Sequence, residues 1–488
     1  MKLCILGGGG FRTPYVYQAL LHDSDPNRVT EVWLYDVDEQ RLESMRALLA
    51  LLARPFEDPP AVHTTMVLSD AIQGAGFVFA ALRIGGLRGR ICDERVALSL
   101  GVLGQETTGP GGLAYAFRTV PVMLRIAELT KSLAPTAYVI NFTNPAGIIT
   151  EAMQSVLGGR VIGICDTPSG LGRRVAAAMG VDQSRVHLDY VGLNHLGWMR
   201  GLICGGEDIL PGFLARDDLL GRLEEATVFG VEWLRQLGAI PNEYLYYYYF
   251  NRDAVRAIRQ SPQTRGEFLA EMQADFYARV AQAGDNAADL WRETVSRRSA
   301  SYMAEAKGGA QGGPEHPDNP EDDPGQQGYA GVAVALMHAI ASNERSTLIL
   351  NVRNGSTIAG LPADAVIEVP ATVDANGAHP LATRAPNLHQ LGLMQQVKEV
   401  ERHAISAARE GSMSEALLAF ALHPLVDSVT VARELLDRYI ATIPEVAAVF
   451  AGGTTVRSLK IIMTNDSGSS QRLVPQSPDQ QPRMACAT

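Results

Sequence analysis

The chain has 488 residues, a formal net charge of −11 and a pI near 5.5. This negative balance argues against a general nucleic-acid or anionic-membrane binder, although local basic sites can still bind an anion. The length allows two or three domains, and 46% hydrophobic with 19% charged residues is ordinary for a globular protein. Five scattered cysteines favour a reducing compartment over a disulfide framework, and the apolar stretch after Met1 is too short for a signal peptide or membrane span, so we expect a cytoplasmic protein.

The first 21 residues predict a phosphate-binding loop. Residues 2–6 are a short apolar run typical of a buried strand, four glycines follow it, and residues 14–21 predict a helix with Thr13 as its N-cap. Glycines between a strand and a helix let backbone N–H groups approach a pyrophosphate, and the helix N-terminus favours its charge. The four glycines do not match the spacing G-x-G-x-x-G, so a plain tight turn is the alternative interpretation.

An acidic residue closes the second predicted strand, at residues 32–36. A carboxylate at this place is expected to hold a pair of ribose hydroxyls, and Asp36 in place of an arginine cluster favours NAD over NADP.

Strand and helix patterns alternate up to about residue 170. Further apolar strands are predicted at residues 76–81, 137–141 and 161–164, with helices at about 39–52 and 114–133. This alternation predicts an α/β protein with a parallel, doubly wound sheet, whose ligands bind beyond the carboxyl ends of the strands. The residues at those ends are Gly7 to Gly10, Asp36, Arg83, Asn141 to Asn144, Cys165 and Asp166. We therefore predict an active site at this edge.

The alternation is lost after about residue 170. The patterns predict strands at residues 188–193 and 347–352, and helices at residues 214–237, 265–283, 330–341, 391–411 and 414–443. Glycine and proline crowd residues 308–328, which predicts a mobile loop or lid. Residues 465–488 are rich in Ser, Gln and Pro, which predicts a disordered tail.

Cys165 and His195 are candidate metal ligands, because thiolate and imidazole both suit a borderline divalent cation. Asp166 beside the cysteine can serve as an acid near that ion, and Glu106 in the glycine-rich loop 104–112 can support the metal or its water. The alternatives are a buried cysteine that only packs and a loop that is only a turn.

The aromatic run at residues 244–250 predicts mainly packing or interface rings. A tyrosine beside a divalent cation can nevertheless act as a general base, because the opposite charge favours phenolate. Arg83, Arg88 and Arg90 suit phosphate recognition, although solvated surface arginine is the commoner case.

Together these motifs resemble the family 4 glycoside hydrolases, which use NAD and a divalent metal, over roughly residues 1–460. The matching stretches are residues 7–14, Gly104-Gln105-Glu106-Thr107, Gly109-Pro110-Gly111-Gly112, Asn141-Phe142-Thr143-Asn144-Pro145-Ala146, Cys165-Asp166-Thr167-Pro168, Gly192-Leu193-Asn194-His195 and Tyr244-Leu245-x-Tyr247-Tyr248. The resemblance does not imply the two-carboxylate chemistry of most glycosidases, because this family is an exception to it.

The resemblance implies a fold similar to lactate and malate dehydrogenases: an NAD-binding Rossmann-like domain at residues 1–170, and an α+β domain for substrate, metal and oligomerisation at residues 171–464. It implies Cys165 and His195 as ligands of manganese or a similar ion, Tyr244 as the base and Asp166 as the proton donor. The other implied site residues are Gly7, Gly8, Gly9, Gly10, Phe11, Arg12, Asp36 and Asn141 for the cofactor, Arg90, Asn144, Asn194 and Arg265 for the substrate, and Glu106 in support.

The resemblance also implies hydrolysis of a phosphorylated glycoside through transient oxidation. NAD takes a hydride from C3, Tyr244 removes the C2 proton, the aglycone is eliminated, water adds and the sugar is re-reduced. Asn242-Glu243-Tyr244 and Leu196 resemble the phospho-β-glucosidase branch, whereas Asp166 matches the phospho-α-glucosidase branch. A net NAD-dependent dehydrogenase of a hydroxy acid or sugar acid is the other alternative, and a homodimer or homotetramer is expected.

Overall fold

The computed structural model describes residues 1–307 and 328–451, and its strands there form one sheet. The strands are β1 Lys2–Leu6, β2 Glu31–Tyr35, β3 Ala61–Thr65, β4 Phe77–Ala80, β5 Tyr138–Asn141, β6 Val161–Gly163, β7 Val186–Leu193, β8 Leu196–Cys204, β9 Glu207–Asp208, β10 Ile240–Pro241, β11 Ser346–Arg353, β12 Val366–Asp374 and β13 Gly377–Pro380.

Half of this sheet has the dinucleotide-binding order β3-β2-β1-β4-β5-β6, with all neighbours parallel. The strand order reverses between β1 and β4, which creates a crevice at their carboxyl ends. Strands β1, β4, β5 and β6 are almost wholly buried apolar runs, as expected where helices cover both faces. The predicted doubly wound parallel sheet is confirmed.

The strands after β6 extend the same sheet with antiparallel pairing. β6 pairs with β11, and the order continues through β12, β7, β8 and β10. The hairpin of β7 and β8 has only two residues in its turn, Asn194 and His195, which places them at the same edge as the carboxyl end of β6.

Helices pack on both faces of the sheet and form two core clusters with its strands. They are α1 Thr13–Leu21, α2 Glu39–Ala53, α3 Leu68–Ile72, α4 Gly86–Ser99, α5 Pro110–Leu133, α6 Ala146–Leu157, α7 Thr167–Ala178, α8 Leu210–Leu214, α9 Asp217–Leu220, α10 Glu224–Phe229, α11 Val231–Leu237, α12 Tyr246–Tyr249, α13 Asn251–Gln260, α14 Arg265–Val280, α15 Ala287–Ala300, α16 Gly328–Ser342, α17 Leu388–Glu410, α18 Met413–Ala421, α19 Val429–Thr442 and α20 Pro444–Phe450. None of the described helices is long and apolar enough to cross a membrane.

Three of the predicted local features are wrong. The single helix expected at residues 214–237 is broken into short helices, because Gly230 adopts a φ of +81° between α10 and α11. The helix expected at 414–443 is two helices separated by a segment that contains Pro424, which has no N–H to donate. Thr13 is the first residue of α1 and not its N-cap, and its hydroxyl donates to the Gly8 carbonyl at 3.0 Å.

The predicted tail, and most of the predicted loop at residues 308–328, lie outside the described residues. The predicted domain boundary near residue 170 stays a prediction.

Candidate active site

A cavity of about 920 Å³ opens at the carboxyl edge of the sheet. All nine residues predicted for catalysis, metal, substrate and support line it: Glu106, Arg90, Asn144, Cys165, Asp166, Asn194, His195, Tyr244 and Arg265. Most of them come from the loops after β5 and β6, the β7–β8 turn and the segment before α12. The structure therefore brings these side chains together, while their individual roles stay predictions.

Cys165 and His195 offer a donor pair that fits a borderline cation. Cys165 is 5% exposed, and burial together with the negative charges of Glu368 and Asp166 raises the pKa of its thiol. His195 has a φ of +62°, which the two-residue turn between β7 and β8 favours, and burial lowers the pKa of its imidazole to about 4. A neutral imidazole keeps a lone pair for a metal. No group of three or more His, Cys, Asp or Glu side chains among the described residues forms a metal cage, so a cation here would take its further ligands from substrate or water.

Tyr244 lies directly against His195. Their rings are parallel with centroids 3.7 Å apart, and the Asn242 side chain accepts the Tyr244 backbone N–H at 3.0 Å. Burial, with the charge of Glu243, raises the pKa of the Tyr244 hydroxyl. In this environment Tyr244 is a neutral phenol, and its use as a base requires a nearby cation or a proton acceptor.

Two carboxyl groups near Tyr244 and His195, the buried Glu368 and the half-buried Glu243, were given no site role by the sequence. Glu368 on β12 accepts hydrogen bonds from Tyr190 at 3.0 Å and Asn194 at 3.1 Å, and burial raises its pKa to about 7. Glu243 accepts from Thr167 at 2.9 Å, and burial likewise raises its pKa to about 7. The signals in the sequence were the place of Glu243 directly before Tyr244 and, for Glu368, a lone acid within an apolar run.

Arg90 is engaged by two carboxylates. Its guanidinium pairs with Glu94 at 2.8 Å and with Glu106 at 2.8 Å, and Arg83 also pairs with Glu106, at 2.5 Å. Although burial opposes it, the charges of Arg83 and Arg90 hold the pKa of Glu106 well below its usual range. The positive charge of Arg90 is therefore already balanced before any ligand arrives.

Arg265 and Arg298 lack such compensation. Arg265 donates to the Arg298 carbonyl at 2.8 Å and to the Ser301 hydroxyl. Among the described residues, no carboxylate lies within ion-pair distance of either guanidinium. Burial and neighbouring positive charge lower the pKa of Arg265 to about 10 and that of Arg298 to about 9. Two uncompensated cations that line a cavity fit an anionic group.

Arg298 was not predicted from the sequence, because it belongs to no motif and lies in the last turn of α15. Arg12 contributes to the same positive region: it lines the cavity, and its guanidinium lies 5.0 Å from the Phe142 ring centroid and 5.2 Å from that of Tyr329.

The glycine loop after β1 is closely packed. The N–H groups of Gly7 and Gly8 both donate to the Tyr35 carbonyl, at 2.9 and 2.8 Å, and the Gly9 N–H donates to Asp36 at 3.0 Å. A Cβ on Gly8 would lie 2.6 Å from the Leu34 Cβ, so the loop can approach the end of β2 only without side chains. The geometry fits a dinucleotide loop, in which an acid at the end of β2 faces the glycines.

Asn141 and Phe11, two of the predicted cofactor residues, make contacts within the protein that stabilise the fold. The Asn141 side chain is fully buried, and its amide donates to the Thr143 and Ala146 carbonyls at 3.2 and 3.3 Å. Phe11 is 4% exposed and packs edge-on against Phe276, with centroids 5.2 Å apart. These contacts explain both residues as supports of the fold; cofactor contact at either position stays a prediction.

The strand order and the polar cavity at its carboxyl edge define the class of α/β proteins with a dinucleotide-binding fold. The model of the family 4 glycosyl hydrolases matches residues 2–181, and that of the family's C-terminal domain matches residues 190–426. The chain belongs to the family 4 glycosyl hydrolases, as its motifs predicted.

Relatives and a solved structure are similar over nearly the whole chain. A Bacillus subtilis protein named as a probable 6-phospho-beta-glucosidase is 31% identical, over 90% of this chain and 96% of its own length. A 6-phospho-alpha-glucosidase of Leptotrichia buccalis is 30% identical, over 90% of this chain and 97% of its own. A structure of the 6-phospho-beta glucosidase from Thermotoga maritima, with manganese, NAD⁺ and glucose-6-phosphate, is 28% identical with a TM-score of 0.76, and the match covers 91% of this chain and 99% of that one.

Proposed function

We propose that this glycoside hydrolase cleaves 6-phospho-β-glucosides through transient oxidation of the sugar at C3, with NAD and a divalent metal. The observation that carries the proposal is the shared cavity, which joins a thiol and imidazole pair, a tyrosine against that imidazole and two uncompensated arginines. The T. maritima relative, which binds manganese, NAD⁺ and glucose-6-phosphate, supports the same set of ligands.

Cys165 and His195 would hold the metal, and the glycine loop with Asp36 would hold the dinucleotide. When bound, these groups supply the reversible oxidation at C3 and polarise the carbonyl formed there. Because a carbonyl at C3 makes the C2 hydrogen acidic, the side chains of the protein have to remove that proton and to assist departure of the aglycone.

Tyr244 is the proposed base at C2, since its ring lies on His195 beside the metal pair. Asp166 follows Cys165 in the cavity wall and protonates the leaving oxygen where the linkage permits. The side-chain amides of Asn144 and Asn194 bind sugar hydroxyls, donating hydrogen bonds through their N–H groups and accepting them through their oxygens. Water then adds at C1, and Tyr244 returns a proton to C2.

The 6-phosphate is assigned mainly to Arg265 and Arg298, with Arg12 nearby, because the charge of Arg90 is balanced by Glu94 and Glu106. Arg90 keeps its predicted role as a substrate residue, through those guanidinium N–H groups that do not bind Glu94 or Glu106.

An α-linked phosphoglucoside is the second candidate substrate. The carboxyl group of Asp166 lines the cavity, and an acid at this position matches the phospho-α-glucosidase branch. The relative from L. buccalis, at 30% identity, favours this alternative almost as strongly as the B. subtilis relative favours the β-linkage.

The deciding experiment measures p-nitrophenol release from α- and β-linked p-nitrophenyl 6-phosphoglucosides, with and without NAD⁺ and Mn²⁺. We expect the β-linked compound to be cleaved only when both cofactors are present. The unphosphorylated glycosides serve as controls. Cleavage without NAD⁺, or equal cleavage of phosphorylated and plain glycosides, contradicts the proposal.

The phosphate assignment gives its own prediction for Arg298. Arg298→Gln should raise KM for the phosphorylated glycoside about 10- to 100-fold, the equivalent of one lost charged hydrogen bond. Arg292→Gln on the same helix is the matched control, because its side chain is 46% exposed and pairs with Asp289. An unchanged KM in the Arg298 variant, measured by steady-state kinetics, removes Arg298 from the phosphate site.

A further inference from the structure

Three aromatic side chains donate hydrogen bonds to backbone carbonyls of the glycine loop at residues 7–12. The donors belong to α14, α15 and α16, which lie far from the loop along the chain. The pairs are the Tyr277 hydroxyl with the Gly9 carbonyl at 2.7 Å, the Trp291 indole N–H with the Phe11 carbonyl at 3.1 Å, and the Tyr329 hydroxyl with the Arg12 carbonyl at 3.0 Å. Helices from a later part of the chain therefore hold the loop at three points.

The other carbonyls of the loop are satisfied locally. Gly7 accepts from the Gly10 N–H at 2.8 Å, and Gly8 accepts from the Thr13 hydroxyl at 3.0 Å. The Gly10 carbonyl accepts from the Thr13 N–H at 3.0 Å. Every carbonyl from residue 7 to residue 12 thus has a hydrogen-bond donor, so the acceptors of this loop are fully used by the protein.

The N–H groups of the loop are used only in part. Those of residues 7–10 donate to the end of β2 or within the loop. Across the described residues, the N–H groups of Phe11 and Arg12 donate to no acceptor. Both lie directly before α1, whose N-terminus has no side-chain cap and favours an anion. These two N–H groups therefore remain available to an acceptor from outside the chain.

The direction of a backbone N–H depends on the carbonyl of the residue before it, because the two belong to one planar peptide unit and point in opposite directions. The Arg12 N–H shares its unit with the Phe11 carbonyl, which Trp291 holds. Tyr277 and Tyr329 hold carbonyls on either side of this unit. The aromatic donors therefore fix the direction of an N–H group that the protein itself does not use.

The donors are themselves held by packing. Trp291 is 3% exposed, and its ring lies 4.9 Å from the ring centroid of Tyr15 and 6.5 Å from that of Phe11. Tyr329 is buried and stacks on Phe142, with centroids 4.2 Å apart. A donor whose own position is fixed by its neighbours can fix the carbonyl that it binds.

We propose that Tyr277, Trp291 and Tyr329 are positioning residues, which hold the glycine loop ready for the pyrophosphate of the dinucleotide. The inference rests on the proposed function only in that the dinucleotide binds at this loop. Because glycine has the greatest backbone freedom, the peptide units of the loop can rotate when these donors are lost. Binding must then order the loop, which lowers the affinity for a pyrophosphate.

The test titrates the full chain, without substrate, with three ligands: NAD⁺, ADP, which keeps the diphosphate, and adenosine, which has no phosphate. Trp291→Phe removes the indole N–H, and the double variant Tyr277→Phe with Tyr329→Phe removes two hydroxyl groups. We expect Kd for NAD⁺ and for ADP to rise about 3- to 10-fold in both variants, and Kd for adenosine to change less than about twofold. Titrations followed by nuclear magnetic resonance measure all three.

Trp198→Phe and Tyr17→Phe are the matched controls. Trp198 is 1% exposed, and its indole N–H donates to the Tyr249 hydroxyl at 2.9 Å. Tyr17 is 1% exposed on α1, and its hydroxyl donates to the Pro60 carbonyl at 2.8 Å. Each control loses a buried donor of the same chemistry that does not bind the loop, so Kd for the nucleotides should change less than about twofold.

Thermal melting shows which variants fold, and Tyr277→Phe alone, at a half-buried side chain, decides the question if the others do not. Wild-type affinity for NAD⁺ and ADP in the folded variants overturns the positioning role alone. An equal rise of Kd for adenosine also overturns it, since the contacts would then support only the fold in general. A wild type that binds neither NAD⁺ nor ADP contradicts the proposed function itself.

Discussion

If Cys165 is a metal ligand, as proposed, its replacement by serine should weaken metal binding, because a thiolate is a much better ligand for a borderline cation than a hydroxyl. We predict that Cys165→Ser weakens Mn²⁺ binding by at least about 100-fold, since loss of outer-shell partners alone costs up to that much. Electron paramagnetic resonance of the free Mn²⁺ ion measures the binding affinity independently of catalytic activity. Cys204→Ser on β8 is the control, because Cys204 is a free cysteine outside the cavity lining. Equal affinity in the two variants would show that Cys165 is not a ligand.

Glu368 predicts a pH dependence of stability. Burial raises its folded pKa to about 7, above the value of about 4.3 for an unfolded glutamate. Between these values the folded state holds more protons, so the free energy of unfolding falls as pH rises, by up to about 1 kcal/mol per pH unit for one group. Glu368→Gln should flatten this slope, as measured by urea unfolding from about pH 5 to about pH 8. An unchanged slope means that Glu368 keeps its charge in the folded protein.

At the residue scale, the sequence indicated the site wherever side chains sit in dense local motifs. Cys165 with Asp166, Asn194 with His195, and Tyr244 all follow this pattern. Arg298, Tyr302 and Glu368 do not: each stands alone in its segment, and only folding brings it to the cavity or beneath it. The sequence carries no signal for such convergence, because burial and charge compensation are properties of the assembled molecule.

At the element scale, helices α4 and α5 are fixed to each other by a buried ion pair. Arg118 donates to both carboxylate oxygens of Asp93, at 2.8 and 2.7 Å, and both side chains are fully buried. Because loss of one partner leaves a buried charge unpaired, we predict that Arg118→Met lowers the free energy of unfolding by about 3 to 5 kcal/mol.

The matched control for that prediction is Arg46→Met on α2. Arg46 and Glu43 are 49% and 62% exposed, so loss of their ion pair should cost less than about 1 kcal/mol. Denaturant unfolding of both variants measures the difference. Equal losses would mean that water reaches the Arg118 pair.

Elements with a single clear periodicity were predictable, and those with an interrupted one were not. β1 and β6 were predicted as strands because both faces are buried and the apolar run is continuous. β12 was not predicted because Glu368 and Pro370 interrupt its apolar run. In the folded sheet β12 pairs with β11 on one side and with β7 on the other. The sequence predicted the short helices α9 to α11 as one helix. The helical spacing of apolar residues continues across Gly230, whereas the positive φ of Gly230 ends the helical backbone there.

At the scale of the whole molecule, the site depends on one sheet that joins the parallel strands β1 to β6 to the antiparallel strands that follow them. Cys165 follows the parallel strand β6, whereas His195 comes from the antiparallel hairpin of β7 and β8, and β11 and β12 lie between β6 and β7. A substrate bound in the cavity at this junction would lie beside both the glycine loop proposed for the dinucleotide and the proposed metal ligands. The expected homodimer or homotetramer stays a prediction.

This arrangement predicts that the dinucleotide is recycled within each turnover, because the sugar that is oxidised at C3 is still in the cavity when the aglycone has left. We expect glucoside cleavage by the loaded enzyme in deuterated water to yield glucose-6-phosphate labelled at C2, with reduced nicotinamide never exceeding one equivalent per active site. Absorbance of the reduced cofactor and proton NMR of the product measure the two quantities. Reduced cofactor that accumulates in step with substrate would instead identify a net dehydrogenase, and a product without deuterium at C2 would contradict exchange of the abstracted proton with solvent.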